Sequence, residues 1–233
     1  MKPIAIIPAR GGSKRIPRKN IRLFHGKPMI AWSIETAQKS NLFSDIIVST
    51  DDHEIAKISE QLGARVPFVR PTNLSDDSAT TAAVMSHAVK WLDAHKETTK
   101  HLCCIYATAP FLTSSDLKQG LEALEAASAN YVYAVTEFDY SPYRALETNI
   151  NGFISLQNQH LSLTRSQDLP NLFHDAGLFY WAGSATWRRE LDILGSEGLG
   201  IQVPKTRAQD IDTEEDWALA SALFTLWKGN GCS

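Results

Sequence analysis

The residues best suited to chemistry come early in the chain. Arg10, Lys14, Arg15, Arg18 and Lys19 place five cations within ten positions, with no acid among them. Gly11 and Gly12 lie in the same stretch, PARGGSKRIPRKN (8–20). Glycines let a backbone approach an anion closely, and consecutive amides there can form a nest for phosphate oxygens. A triphosphate needs such neutralisation to bind, and again to spread charge as pyrophosphate departs. The stretch is neither G-x-x-x-x-G-K-[ST] nor G-x-G-x-x-G, which argues against a P-loop kinase and a simple dehydrogenase. A generic basic cluster is more often a solvated loop or a patch for nucleic acid. Paired glycines directly after a buried strand favour a nucleotide polyphosphate here.

A second constellation lies near the end of the chain. Asp210 and Asp212 are separated by one residue, just ahead of a helical pattern. In an extended segment, side chains at i and i+2 project on the same side, so both carboxylates can face one Mg²⁺. The competing reading is capping, with Asp212 or Thr213 as N-cap and Glu215 or Asp216 completing the box. His87, His101 and the cysteines show no metal-ligand spacing, and no G-x-S-x-G elbow occurs. Neither a zinc site nor a covalent nucleophile is expected.

Short apolar runs alternating with helical stretches must position these groups. Residues 3–9, 45–50 and 101–108 read as buried strands; 28–40 and 53–62 read as amphipathic helices, as do 78–96 and 114–127. Pro28 suits a first helical turn, and Gly63 makes a natural stop. The alternation predicts an α/β fold, a mostly parallel doubly wound sheet of Rossmann-like type. Ligands bind such sheets beyond the carboxyl ends of the strands, after residues 9, 50 and 108. Residues 65–70 read as a further strand, which carries Arg70 to the same edge.

From about 131 the rhythm changes. Residues 131–138 and 145–157 read as strands without helices between them, and Asn151-Gly152 reads as a turn. The expectation is one domain over 1–233, with a β-rich dimerisation arm at about 137–172 that packs on a second copy. Its apolar residues Tyr131, Tyr133, Phe153, Ile154 and Leu156 could equally belong to the chain's own sheet. Residues 174–183 and 200–205 return as strands. Residues 213–228 close with a helix carrying Trp217, Leu219, Leu223, Leu226 and Trp227.

Composition fits a soluble cytosolic protein: 43% hydrophobic, 21% charged, formal net charge −3. No global field draws it to nucleic acid or membrane. Cys103 and Cys104 are adjacent and Cys232 stands alone, a pattern of reduced thiols. No run is long enough for a signal peptide or a membrane span.

The segment IPARGGSKRIPRKNI (7–21), followed by GKPMI (26–30), resembles the signature of CMP-sugar synthetases that act on nonulosonic acids. The likeness continues through STD (49–51), RP…LSDD (70–77), YATAPF (106–111) and DIDTEEDW (210–217). Arg15 and YATAP (106–110) replace residues usual in sialic acid enzymes, and with HDAGLFYW (174–181) they look closest to the pseudaminic acid branch. The resemblance implies an enzyme joining CTP to an acidic nine-carbon sugar, with Mg²⁺ held by Asp210 and Asp212. Relatives using sialic acid, legionaminic acid or KDO are the alternative, and a non-catalytic nucleotide- or nucleic-acid-binding module is a distant one.

The same resemblance implies that Arg10, Ser13, Lys14 and Lys19 contact the triphosphate with Asn20 close by. Arg15 and Arg18 have a competing reading as salt-bridged surface. Arg70, Asp77, Ala79 and Thr81 correspond to positions that hold the cytosine and ribose. A structural ion pair of Arg70 with Asp76 or Asp77 is the simpler alternative, and Asp77 or Ser78 could merely cap the next helix. Tyr106, His174, Asp175 and Tyr180 are candidates for the sugar pocket. Arg165 is a candidate for the sugar carboxylate, reached from a partner's arm.

Overall fold

The computed structural model describes residues 1–97 and 99–229. The chain runs β1 (Ile4–Pro8), β2 (Leu23–Phe24), β3 (Lys27–Pro28), α1 (Met29–Ser40), β4 (Asp45–Ser49), α2 (His53–Gln61), α3 (Thr81–Ala94) and β5 (His101–Ile105). It continues through α4 (Ser114–Ala126), β6 (Tyr131–Glu137), β7 (Leu146–Thr148), β8 (Ile154–Leu156), β9 (Phe173–Gly183), α5 (Ser184–Arg188), β10 (Gly198–Gln202) and α6 (Glu214–Gly229).

Six strands form the main sheet in the order β10-β6-β9-β5-β1-β4. β1 pairs in parallel with β4 and β5, and β10 with β6, while β9 runs antiparallel to both β5 and β6. The sheet is thus mostly parallel, as expected, with one reversed strand. That reversal matters for the site, because it brings the start of β9 to the edge where its neighbours end.

Strand alternation sends successive side chains to opposite faces. Ala5, Ile7, Cys103 and Ile105 pack with Ile30, Ile34 and Leu117 of α1 and α4. Ile4, Ile6, Leu102 and Cys104 pack with Met85, Val89 and Leu92 of α3 and with Trp187 of α5. Cys103 and Cys104 are therefore buried on opposite faces as free thiols; Cys232 lies outside the described residues. Gly120 lets α4 press onto β9: a Cβ there would fall 2.6 Å from Trp181 Cδ1.

A third apolar cluster sets up the site. Ile16, inside the cationic turn, and Ile211, between the two aspartates, are both buried with Phe24, Met29, Trp217 and Phe224. This cluster clamps α6 and the segment before it against the turn.

Several local expectations change. The helix expected over 78–96 starts at Thr81, because Thr80 is the N-cap and accepts from Ala83 N. Residues 65–70 make only isolated bridges, at Arg65 and Val69, since Pro67 cannot donate to a ladder. β5 ends at Ile105, where 106–108 turn away from the sheet. The inner stripe of α6 is Trp217, Ala220 and Phe224, with Leu219 and Leu226 exposed. The segment 138–172 is poorer in β structure than expected, with the three-residue strands β7 and β8 and three 3₁₀ turns. The Asn151-Gly152 turn is present, with Gly152 in the left-handed region. Tyr131 and Tyr133 belong to the chain's own sheet, whereas Phe153 and Ile154 are exposed.

Candidate active site

Two clefts open at the carboxyl edge of the sheet. One, of about 330 Å³, is lined by Arg10, Ser13, Lys19, Asn20, Arg70, Asp77, Ala79, Thr81 and Tyr106. Most of the residues expected to meet a nucleotide are thus brought together. The second, also about 330 Å³, is lined by Thr80, Thr81, Tyr106, Asp175, Tyr180, Glu190, Asp192, Ile193 and Leu194. Thr81 and Tyr106 line both, and the Tyr106 hydroxyl lies 3.0 Å from Thr81 Oγ1.

The cationic turn is held in shape from several sides. Asn20 is buried and donates to the Arg10 carbonyl at 2.9 Å. Arg18 has left-handed backbone and reaches away from the cleft to Asp52 and Glu54. The Arg18 guanidinium holds the Asp52 carboxyl down to about 2, helped by the α2 amides that Asp52 caps. Arg18 is therefore a brace, in line with its salt-bridge reading. The Gly11 N–H donates to Asp51 at 3.0 Å, so the expected pair of free amides is not formed. Gly11 must be glycine for another reason: a Cβ there would lie 2.6 Å from Asp52 Oδ2. Gly12 has open space around it.

The remaining cations meet two carboxylates. Asp77 pairs with Arg10 at 2.6 Å and Lys14 at 2.7 Å. It thus faces two cations of the turn, with Ala79 and Thr81 lining the same cleft. Asp76 organises the preceding turn by accepting from the Ser78 and Ala79 amides, which leaves Asp77 free to do this. Neither Asp77 nor Ser78 caps α3. Asp212 pairs with Arg15 at 2.6 Å and Lys19 at 3.0 Å, and Lys19 also donates to the Ile211 carbonyl at 2.5 Å.

Capping of α6 belongs to Thr213 and Asp216, whose side chains and amides bond reciprocally. Asp210 and Asp212 are thereby released for other work. Asp210 keeps an exposed face, yet the protein packed behind it, and then the Asp212 charge, hold its carboxyl above the usual range. A hard cation between two such oxygen donors would relieve that strain of like charge.

Arg70 is buried, with Nη2 making no hydrogen bond and facing Asp51 at 3.7 Å. Its ion-pair partner is Asp51, not Asp76 or Asp77. Burial lowers its pKa, so an added acceptor in the cleft would stabilise the guanidinium.

In the second cleft, Tyr180 donates to the Asp175 carboxylate. His174 and Arg165 do not line either cleft. The His174 ring stands 4.8 Å from Phe138, and Arg165 is exposed and pairs loosely with Asp168 at 3.9 Å. Sequence reasoning placed Asp51 in the STD motif without a role, and missed Asp52, Thr80, Glu190, Asp192, Ile193 and Leu194. An Asp ahead of the helical pattern at 53 is a capping signal that points to Asp52. The 190–194 residues carry no such signal, since only the fold brings them beside Tyr106.

Among known proteins, residues 4–222 match the family model described as Cytidylyltransferase. The chain is 43% identical to a pseudaminic acid cytidylyltransferase of Campylobacter jejuni, over 97% of both chains. It is 36% identical to a Helicobacter pylori protein named pseudaminic acid cytidylyltransferase and UDP-2,4-diacetamido-2,4,6-trideoxy-beta-L-altropyranose hydrolase, over 91% of this chain and 40% of that one. CMP:2-keto-3-deoxy-manno-octonic acid synthetase complexed with CTP shares the fold, with TM-score 0.70 at 17% identity over 97% of this chain and 99% of that one. The family match across nearly the whole chain, on a sheet edge that carries a cationic glycine turn, makes this protein a member of the cytidylyltransferase family.

Proposed function

We propose that the enzyme condenses CTP with pseudaminic acid, an acidic nine-carbon sugar, to give the CMP-sugar and pyrophosphate. The observation that carries this reading is that two clefts meet at Tyr106 and Thr81, with the cationic turn on one side only. The nucleotide fits the side holding Arg10, Ser13, Lys19 and Arg70, and the sugar fits the side holding Asp175 and Tyr180. The relatives named for pseudaminic acid support this sugar over sialic acid, legionaminic acid or KDO.

The reaction is an in-line displacement at the α-phosphorus by the anomeric hydroxyl. Such transfers ask a protein chiefly for positioning and charge stabilisation. Arg10 and Lys14 stabilise charge on the leaving pyrophosphate once the triphosphate displaces Asp77 from them. Arg70 offers its Nη2, which makes no hydrogen bond, to a cytosine acceptor. Asp210 and Asp212 would hold Mg²⁺, which supplies charge neutralisation at phosphate oxygens. Lys19 keeps Asp212 beside the turn.

The work is cytoplasmic in this reading. Among the described residues no helix is long and apolar enough to cross a membrane. The arm at about 137–172 serves a homodimer, with Arg165 offered to the partner's sugar site. No role in binding nucleic acid is assigned.

Incubation with CTP and each of pseudaminic acid, sialic acid, legionaminic acid and KDO separately, with pyrophosphate release as readout, tests the reading. Pseudaminic acid is expected to give the highest kcat/KM. Turnover of another of these acids in its place would overturn the choice of sugar.

A further inference from the structure

We propose that the Tyr106 and Tyr180 hydroxyls relay the proton of the sugar's anomeric hydroxyl to the Asp175 carboxylate. This inference rests on the function proposed above and supplies the proton acceptor that the reaction needs.

Tyr106 stands where the two clefts join, which is where an anomeric oxygen from one must reach a phosphorus in the other. Its ring is 5.2 Å from that of Tyr180, and its hydroxyl, now 3.0 Å from Thr81 Oγ1, need only rotate to meet the Tyr180 hydroxyl in the step. The Tyr180 hydroxyl donates to Asp175 Oδ2, and the Gly177 N–H holds Oδ1 at 2.9 Å. Tyr106, Tyr180 and Asp175 thus follow one another from the meeting point to a carboxylate.

The strand is bent to make this connection. Residues five apart on a regular strand lie on opposite faces. Between Asp175 and Tyr180 the pairing with β6 shifts register, and Gly177 takes a left-handed φ of 62°. The irregularity re-aims a side chain, a common use of bulges beside active sites. It turns Asp175 onto the side of Tyr180.

Charge also favours the carboxylate as the end of the chain. Burial raises the pKa of both tyrosines, so neither stores the negative charge, and each can accept one proton while passing another. The groups facing Asp175 are these tyrosines, the Cys104 thiol of β5, which burial keeps protonated, and Glu190 and Asp192 across the cleft. Among the described residues, no lysine, arginine or histidine lines this cleft.

In the step, the anomeric O–H bond breaks as oxygen bonds the α-phosphorus. The bond from α-phosphorus to the bridging oxygen breaks, and its electron pair leaves with pyrophosphate. One proton passes to Tyr106, one from Tyr106 to Tyr180, and one from Tyr180 to Asp175.

The test compares Asp175→Asn, Asp175→Glu, Tyr106→Phe and Tyr180→Phe with the parent at saturating CTP and pseudaminic acid. Asn keeps a carbonyl acceptor for the Gly177 N–H and sets its amide N–H against the Tyr180 hydroxyl, which can rotate to accept, so a merely structural Asp175 would tolerate it. Asp175→Asn is expected to lower kcat by about 10²- to 10⁴-fold, the usual worth of a positioned base. CTP affinity, read by calorimetry, is expected to stay, and the acid limb of the kcat–pH profile is expected to vanish. Asp175→Glu should recover part of the rate. Tyr106→Phe and Tyr180→Phe should each cost about tenfold or more. Retention by Asp175→Asn of the parent's kcat and acid limb would overturn the relay, as would undiminished rates in both Phe variants. Parent turnover is the control: if the parent makes no CMP-sugar, the function itself fails and takes the relay with it.

Discussion

The Lys19 ammonium lies 3.0 Å from an Asp212 carboxylate oxygen, although 193 positions separate them in the chain. Both side chains are largely withdrawn from solvent, at 17% and 31% exposure. The pair ties the glycine turn to the aspartates before α6, so one bound nucleotide can touch both. Ile16 and Ile211, buried in the same cluster, set that proximity.

Asp212→Ala should therefore damage more than one function. It removes a proposed metal ligand and leaves Lys19 and Arg15 without their carboxylate. We expect kcat to fall by about 100-fold or more, comparable to the loss of one preorganised electrostatic contact. The Mg²⁺ concentration for half-maximal rate should rise. Rates of CMP-sugar formation measured across a Mg²⁺ series check this. A parent-like curve would remove the metal role from Asp212.

Lys14→Ala isolates charge stabilisation. The Lys14 side chain is 80% exposed and meets only the Asp77 carboxylate among the ion pairs of the described residues. Solvent screens such an exposed pair, so the thermal midpoint should barely move. The kcat and kcat/KM should fall by a similar factor, about 10²-fold, as expected for an interaction made in the transition state. A rise in KM alone would assign Lys14 to binding.

Much of this site was legible because its parts carry local signals. Cations beside paired glycines, directly after an apolar strand, mark a basic turn at the ligand edge of the sheet. Asp210 and Asp212 were ambiguous for a physical reason: a carboxylate ahead of a helix can cap it or bind a cation. Only the Thr213–Asp216 reciprocal bonds show that neither carboxylate is needed as the cap. Arg70 sits at the sheet edge as expected, yet its partner Asp51 comes from the end of β4, which sequence spacing cannot pair with it. The reversal of β9 was also hidden, since direction leaves no mark on an apolar run. Without it, Asp175 would not lie at the ligand edge, and the route from Tyr106 to a carboxylate would not exist.

Stability should depend on pH through two histidines. Burial is the main cause that lowers the pKa of both His87 and His101, and neighbouring cations add to it. His87 Nδ1 and both ring nitrogens of His101 are buried without hydrogen-bond partners. Below the ordinary histidine value of about 6.5 the unfolded chain binds protons that the folded chain resists. This contribution is therefore whole above about pH 6.5 and is lost as pH falls towards the lowered folded values. Thermal midpoints should drop from about pH 7.5 to about pH 5.5, and His101→Leu should flatten the slope. An unchanged slope in that variant would clear His101 of the effect.

The arm offers the last prediction. Tyr140, Ile150, Phe153, Ile154 and Leu163 are exposed within one short segment, Ile150 and Leu163 almost completely. Single exposed apolar residues are ordinary, but a cluster of this density marks a contact surface. A second copy is the proposed occupant, because a two-fold interface lets one patch serve both chains. Light scattering should then give twice the 25.8 kDa of one chain. Phe153→Ser with Ile154→Ser changes only exposed side chains of the arm, so the fold and CTP binding should persist while the mass halves. If Arg165 acts across the interface, sugar KM should rise in the same variant, and Arg165→Ala should raise it in the dimer. A parent that already runs as a single chain at working concentration would end the proposal, and with it any task for Arg165 at the site.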